Sequence, residues 1–350
     1  MNQKLLAFLL AFFTTVLATP LAIKVSPMLG IMDVPKDARR VHNKPISRFG
    51  GIALLCGIFS VFLIIKPLDK QITGLMIGAL IIYVEGLIDD IIDLNAKIKL
   101  AGQILSAIVL CLFNVRVIGI NNYFGEGAFV FPMWLSMIIT VCWVVGITNT
   151  INLMDGLDGL AAGLVCIASM AISYTAGVNG QETTVKLCLA IVGATLGFLI
   201  YNFYPAKIFM GDAGAQLLGF FIASIPLIGV SPVKGTTLFA TLVPIMVLAL
   251  PIFDTAFAII RRVADHRPIM QADKGHLHHR IMMLGFGQRR TVLALYSISA
   301  IMAIAGIVWT NGLRWEALIL GLIAAVLVVI FLGIGVVDKK TDEGDEKCKK

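Results

Sequence analysis

Eleven apolar runs, each close to the length that crosses a lipid bilayer, leave this 350-residue chain few ways to fold. They occupy residues 3–24, 50–66, 72–88, 98–115, 132–148, 160–177, 186–201, 213–230, 236–260, 291–309 and 316–337. A helix needs about 20 residues to span a ~30 Å hydrocarbon core, and the shorter runs reach it by extending into the interface. Hydrophobic residues make up 58% of the chain and charged residues 14%, with a mean hydropathy of +0.92. That composition excludes an ordinary soluble domain. The expected fold is an all-α integral membrane protein, a polytopic bundle of about eleven transmembrane helices. The first run follows Lys4 as a signal peptide would, but in a polytopic chain it is expected to stay as the first helix. Residues 1–337 read as one domain, and the charged stretch 338–350 as a disordered cytoplasmic tail.

Basic residues set the orientation, because Lys and Arg accumulate on the cytoplasmic side. Of the 28 Lys and Arg, Lys4, Lys66, Lys70, Arg116, Lys186, Lys234 and Arg314 lie at one set of run ends, and Lys24 closes the first run. The others gather at the opposite ends, together with all five histidines, His42, His266, His276, His278 and His279. An extracytoplasmic N-terminus follows, with the cytoplasmic loops carrying the chemistry. Cys56, Cys111, Cys142, Cys166 and Cys188 lie inside apolar runs without a C-x-x-C pair and read as small buried hydrophobes.

Three polar clusters fall on that same side, each directly after or before an apolar run. Asn149, Asn152, Asp155 and Asp158 recur at three-residue spacing, Asp89, Asp90 and Asp93 follow the third run, and Asn202 to Asp212 follows the seventh. Carboxylates at a membrane boundary in a hydrophobic chain mark function more often than not. If the third helix continues one turn, Glu85, Asp89, Asp93 and Lys97 share one stripe. Such a stripe either gathers a cation, for which Mg²⁺ suits the oxygen donors, or is neutralised by Lys97 and the basic loops. In the third cluster Phe209 suits stacking on a base or anchoring at the interface.

Two basic segments complete the set. Arg39, Arg40, His42, Lys44 and Arg48 precede Gly50-Gly51, and fit either phosphate and anionic-lipid binding or ordinary cytoplasmic flanking. His276, His278, His279 and Arg280 suit phosphate, while zinc is disfavoured without a nearby Cys. Walker A, G-x-G-x-x-G and H-E-x-x-H motifs are lacking, which excludes a soluble nucleotide fold; no nucleic-acid partner is expected. Gly74-x-x-x-Gly78 and Gly193-x-x-x-Gly197 fit close helix packing.

Taken in order, these motifs resemble the polyprenyl-phosphate N-acetylhexosamine-1-phosphate transferases. The likeness rests on Arg-Arg-x-His with Gly-Gly (39–51), Leu-Ile-Asp-Asp-x-x-Asp-Leu (87–94) and Asn-Leu-Met-Asp-Gly-Leu-Asp-Gly-Leu-Ala (152–161). It continues through Phe-Met-Gly-Asp-Ala-Gly (209–214), Phe-Asp-Thr (253–255) with Arg261-Arg262, and His-Leu-His-His-Arg (276–280). The His-x-His-His form is similar to the GlcNAc branch (WecA/TagO) rather than to MraY. Ser47 stands where many relatives have Pro, and Ala213 where many have Thr or Ser; neither change removes a charge.

The resemblance implies transfer of GlcNAc-1-phosphate from UDP-GlcNAc to undecaprenyl phosphate at the bacterial cytoplasmic membrane, releasing UMP and starting an envelope polysaccharide such as teichoic acid or O-antigen. It implies Mg²⁺, with Mn²⁺ as a substitute, on Asp212 with Asp89 and Asp90 near the acceptor phosphate as metal-adjacent or proton-accepting groups. Asp155, His278 and His279 join these three in the catalytic set. Asp155, Gly156, Leu157, Asp158, Asn202 and Phe209 would line the uridine pocket, with Lys44, His276, His278, His279 and Arg280 on phosphates and Arg48 and Asn152 also binding substrate. Partners would be the two substrates and membrane lipids, with a homodimer as a further expectation. The rivals are another UDP-N-acetylhexosamine or UDP-MurNAc-pentapeptide as donor, and, in a different class, a transporter. Transporters place their binding groups near the bilayer midplane, whereas here most ionisable groups sit at run ends, with Asp254 the partial exception.

Overall fold

A computed structural model describes residues 2–33, 45–65, 68–121, 128–229, 245–264, 281–282 and 285–330. The apolar runs become helices: α1 (Gln3–Leu29), α2 (Gly50–Phe59, continued by a 3₁₀ turn at Ser60–Leu63), α3 (Lys70–Ile92) and α4 (Ala96–Leu112). They continue as α5 (Met133–Met154), α6 (Leu160–Val178), α7 (Glu182–Asn202) and α8 (Gly211–Ser224, then a 3₁₀ turn at Ile225–Leu227). The last are α9 (Ala249–Ala264) and α10 (Gln288–Thr310), with residues 314–330 also helical. Among the described residues five helices, α1, α5, α6, α7 and α10, are long and apolar enough to cross a membrane by length and composition. The expected tail, residues 338–350, lies outside the described residues.

Short two-stranded ribbons were not foreseen in an all-α reading. β1 (Met32–Asp33) pairs antiparallel with β2 (Ile46–Ser47), and β3 (Gly119–Asn121) with β4 (Ala128–Val130). Both lie between helices, where the chain leaves the apolar pattern and the backbone must pair with another segment.

The bundle is arranged around α8. Every α8 residue from Ala213 to Ser224 is buried, and Phe220 and Phe221 are among the largest fully enclosed side chains. Around it stand α2, α3, α5 and α6. Gly86 allows α3 to run against the start of α8, since a Cβ there would lie 2.6 Å from the Ala213 Cα. The Gly193/Gly197 pair does the same for α7 against α1: a Cβ on either would meet the backbone carbonyl of Phe8 or Phe12. Apolar side chains such as Leu17, Met28, Trp134 and Ile260 face outward. Buried hydroxyls turn instead onto their own helix, as in Thr19 to Thr15 O (2.7 Å) and Thr195 to Ile191 O (2.7 Å). An apolar exterior around self-satisfied hydroxyls suits lipid.

Candidate active site

The three polar clusters lie on helix ends rather than in open loops. Asp89 and Asp90 occupy the last turn of α3, Asn152 that of α5, Asn202 ends α7, and Asp212 is in the first turn of α8. Helix ends leave backbone groups without intrahelical partners, so side chains there can be held by those groups and can bind.

The proposed stripe from Glu85 to Lys97 is corrected by the structure. Asp89 turns its carboxylate back onto the Leu94 N–H (2.7 Å), and Asp93 adopts left-handed backbone with φ 47°. That ends α3. Asn95 then caps α4, accepting from the Lys97 N–H at 3.1 Å. Lys97 therefore points into solvent on a different helix, and the cation that meets the acids is Lys99, one half-turn later.

Lys99 Nζ bonds the Asp89 carboxylate and lies 3.5 Å from Asp212 Oδ2. Sequence reasoning passed over it because it stands just inside an apolar run; a lone cation at such a position was the available signal. Asn152 donates its side-chain amide to the other oxygen of Asp212, at 2.8 Å. Arg48 joins Lys99, with the Arg48 Nη2 3.4 Å from Asp90 Oδ1 and 3.6 Å from Asp212 Oδ2. Lys99 and Arg48 thus meet at the same oxygen of Asp212, while the other takes the Asn152 amide.

Arg48 reaches this place through the backbone. Ser47 bridges to Ile208 in parallel, Phe209 N–H donates to Ser47 O (2.8 Å), and Gly50 N–H donates to Phe209 O (3.0 Å). The segment before α2 is thereby laced to the segment before α8. Half-buried Phe209 contributes its backbone to this lacing.

Asp90 behaves differently from its neighbour. Its side chain is 1% exposed, its Oδ1 accepts from the Asp212 N–H at 2.9 Å, and its Oδ2 from the Ala213 N–H at 3.0 Å. Those are orphan donors at the α8 N-terminus, where a carboxylate is favoured by both hydrogen bonding and the helix dipole.

The remaining sequence candidates form the adjoining turn. Asp155 caps the C-terminus of α5, and burial, then repulsion from Asp212 and Asp90, raises its carboxyl well above the usual carboxylate range. Gly156 is exposed at the turn. Leu157 is buried in an apolar cluster with Leu160, Leu164 and Leu295, so its side chain serves packing. Asp158 accepts from the Ala206 N–H (2.9 Å), while Asn202 accepts from the Gly159 N–H (3.1 Å) and donates to Ile208 O (2.8 Å). Tyr296 of α10 closes the turn by donating to Gly159 O. Lys44, His276, His278, His279 and Arg280 lie outside the described residues.

The donors present are carboxylates and an amide. Among the described residues no group of three or more His, Cys, Asp or Glu converges as a metal cage. A hard cation held by one or two carboxylates and completed by substrate phosphates is the arrangement such a set fits, and the placement of Lys99 between Asp89 and Asp212 shows that positive charge is favoured there.

Comparison with known proteins agrees with this chemistry. Residues 72–230 match the model of glycosyl transferase family 4. The chain is 38% identical over 342 residues to the probable undecaprenyl-phosphate N-acetylglucosaminyl 1-phosphate transferase of Bacillus subtilis (strain 168), covering 97% of this chain and 94% of that protein. It is 34% identical to the decaprenyl-phosphate N-acetylglucosaminephosphotransferase of Mycolicibacterium smegmatis, over 94% of this chain and 86% of that one. A similar protein from Escherichia coli (strain K12), the undecaprenyl-phosphate alpha-N-acetylglucosaminyl 1-phosphate transferase, is 28% identical over 89% of this chain and 86% of its own length. With acidic helix ends meeting two cations in an apolar bundle, and likeness running nearly end to end, the chain belongs to the polyprenyl-phosphate N-acetylhexosamine-1-phosphate transferases.

Proposed function

We propose that this protein transfers GlcNAc-1-phosphate from UDP-GlcNAc to undecaprenyl phosphate on the cytoplasmic face of a bacterial inner membrane. An oxygen of the acceptor phosphate attacks the sugar-proximal phosphorus of the donor. The bond from that phosphorus to the oxygen shared with the uridine-proximal phosphate breaks, and UMP leaves with the electron pair. The names of the relatives support the acceptor class and the transferred group.

The observation that carries the reading is the convergence of Lys99 and Arg48 on one oxygen of Asp212. Two phosphorylated substrates repel one another, and neutralising that charge is the main task in phosphoryl transfer. Lys99 and Arg48 can exchange their carboxylate partners for phosphate oxygens without leaving the site. Asp212, steadied by Asn152, and Asp89 would hold Mg²⁺, with Mn²⁺ able to substitute; the ion would neutralise phosphate charge when bound. Asp90 has both oxygens committed to the α8 amides, so its part in this reading is to hold Asp212 in place rather than to bind the ion. The acceptor phosphate is already ionised at neutral pH, which lessens the need for a strong base.

The decisive assay incubates purified protein with undecaprenyl phosphate and radiolabelled UDP-GlcNAc, with and without Mg²⁺. A lipid-linked sugar and UMP should form only with the metal, and added UMP should regenerate UDP-GlcNAc from the product. Exchange of UMP in the absence of lipid acceptor would instead indicate a covalent enzyme intermediate. Reporter fusions after residues 68, 122 and 312 should read as extracytoplasmic, and a cytoplasmic signal at any of them would break the shared-face reading.

A further inference from the structure

One helical turn beneath the site lies a second polar layer, built from the same four helices. Glu85 stands four residues before Asp89 on α3, Gln103 four after Lys99 on α4, Asn149 three before Asn152 on α5, and Gln216 four after Asp212 on α8. Gln216 is 0% exposed, Gln103 3% and Glu85 8%. Such groups are expensive inside an apolar bundle unless they are paired or serve a purpose.

Three of the four are joined. Gln103 Nε2 donates to Gln216 Oε1 (3.0 Å) and to Asn149 Oδ1 (3.2 Å), and Asn149 Nδ2 donates back to Gln103 Oε1 and to Val145 O (2.9 Å). The amide ladder therefore fixes α4 against α5 and α8. Among the described residues it ends on Gln216 Nε2 and the two oxygens of Glu85, none of which has a partner in full hydrogen-bond geometry, although Gln216 lies close enough to act on the Glu85 carboxyl as a side-chain donor. A buried donor and a buried acceptor side by side complement each other, and their approach sets α3 at the end of the ladder.

We propose that Glu85, Gln103, Asn149 and Gln216 form a positioning layer that sets how closely Lys99, Asp89, Asn152 and Asp212 approach one another, and thereby tunes cation and phosphate affinity. This rests on the transferase reading above. Each layer residue is one turn from the site residue on its own helix, so a shift of the ladder moves the site with it. Groups that hydrogen-bond metal ligands change affinity or activity by about 10–100-fold when removed, and a layer one turn further out should fall at the lower end of that range.

A swap of donor and acceptor tests it. Q216E places two carboxylates face to face and should raise the Mg²⁺ concentration for half-maximal activity about tenfold, and lower kcat, with the KM for nucleotide sugar little changed. E85Q keeps an acceptor for the Gln216 amide and should stay near the unmodified protein. The double variant E85Q/Q216E restores a donor opposite an acceptor and should recover at least half of the lost activity. A role in packing alone would give no recovery. Thermal unfolding of each purified variant separates misfolding from mispositioning, and should Q216E not purify, Q103L supplies the same Mg²⁺ readout. Wild-type Mg²⁺ dependence in Q216E or Q103L, or no recovery in a folded double variant, overturns the positioning layer. Failure of the unmodified protein to make lipid-linked sugar overturns the transferase reading instead.

Discussion

Two neighbouring regions use the same residue types for opposite ends. Around Asp212 the carboxylates of α3 and α8 meet the cation heads of Lys99 and Arg48, which are 29% and 30% exposed and can change partner when phosphate arrives. Around Gly159 the polar side chains of Asp158 and Asn202 are tied to backbone groups of Ala206, Gly159 and Ile208. The first region can exchange its contacts with a ligand; in the second, the side chains define a loop. The difference lies in the partner, since an ion pair at a half-open helix end is replaceable whereas a buried backbone amide must keep its acceptor.

The comparison breaks first at Asp212. Asp212→Asn keeps the shape and the Asn152 contact but loses the charge, and turnover should fall about 10³-fold while thermal unfolding of the purified protein is little changed. Activity near that of the unmodified protein at limiting Mg²⁺ would remove Asp212 from the cation site. Lys99→Met takes the cation from Asp89 and leaves Asp212 with Arg48 and Asn152, and should lower kcat/KM about 10²-fold, with Lys99→Arg recovering part of it, because a cation is needed more than an ammonium.

Asp90 lies between the two regions in character. Asp90→Asn retains one acceptor for the α8 amides but sets an NH₂ against the other, so a loss of about tenfold is expected, smaller than at Asp212. An equal loss, together with abolished Mg²⁺ activation, would move Asp90 into the cation shell. The smallest effect on turnover should come from Asn202→Ala. Removing two loop bonds should destabilise the protein by about 1–2 kcal/mol, read as a lower unfolding temperature, with kcat within a few-fold at low temperature. A large kcat loss in stable Asn202→Ala protein would mean that this region also touches substrate.

Part of this site was legible in the chain because it consists of local clusters. Asp89, Asp90, Asn152, Asp155 and Asp212 interrupt apolar runs, and an apolar run ending in carboxylates is a local signal. Lys99 was not legible, because a lysine inside a run reads as an interfacial flank until α3 and α4 are folded against each other. Arg48 was expected to bind substrate, as one cation of a basic segment, and the Ser47 to Ile208 bridge is what carries it to the acids.

The sequence alone determined that the chain forms apolar helices and that its acids stand at their ends, because hydropathy, helix length and the positions of charge are properties of short segments. Tertiary structure decided which acid does what. Asp89 and Asp90 are adjacent in the chain, yet successive residues on a helix point about 100° apart, so one faces Lys99 and the other the N-terminus of α8. That assignment depends on which helix packs against each face, information held 122 residues away in α8 and in the glycine that lets α3 approach it.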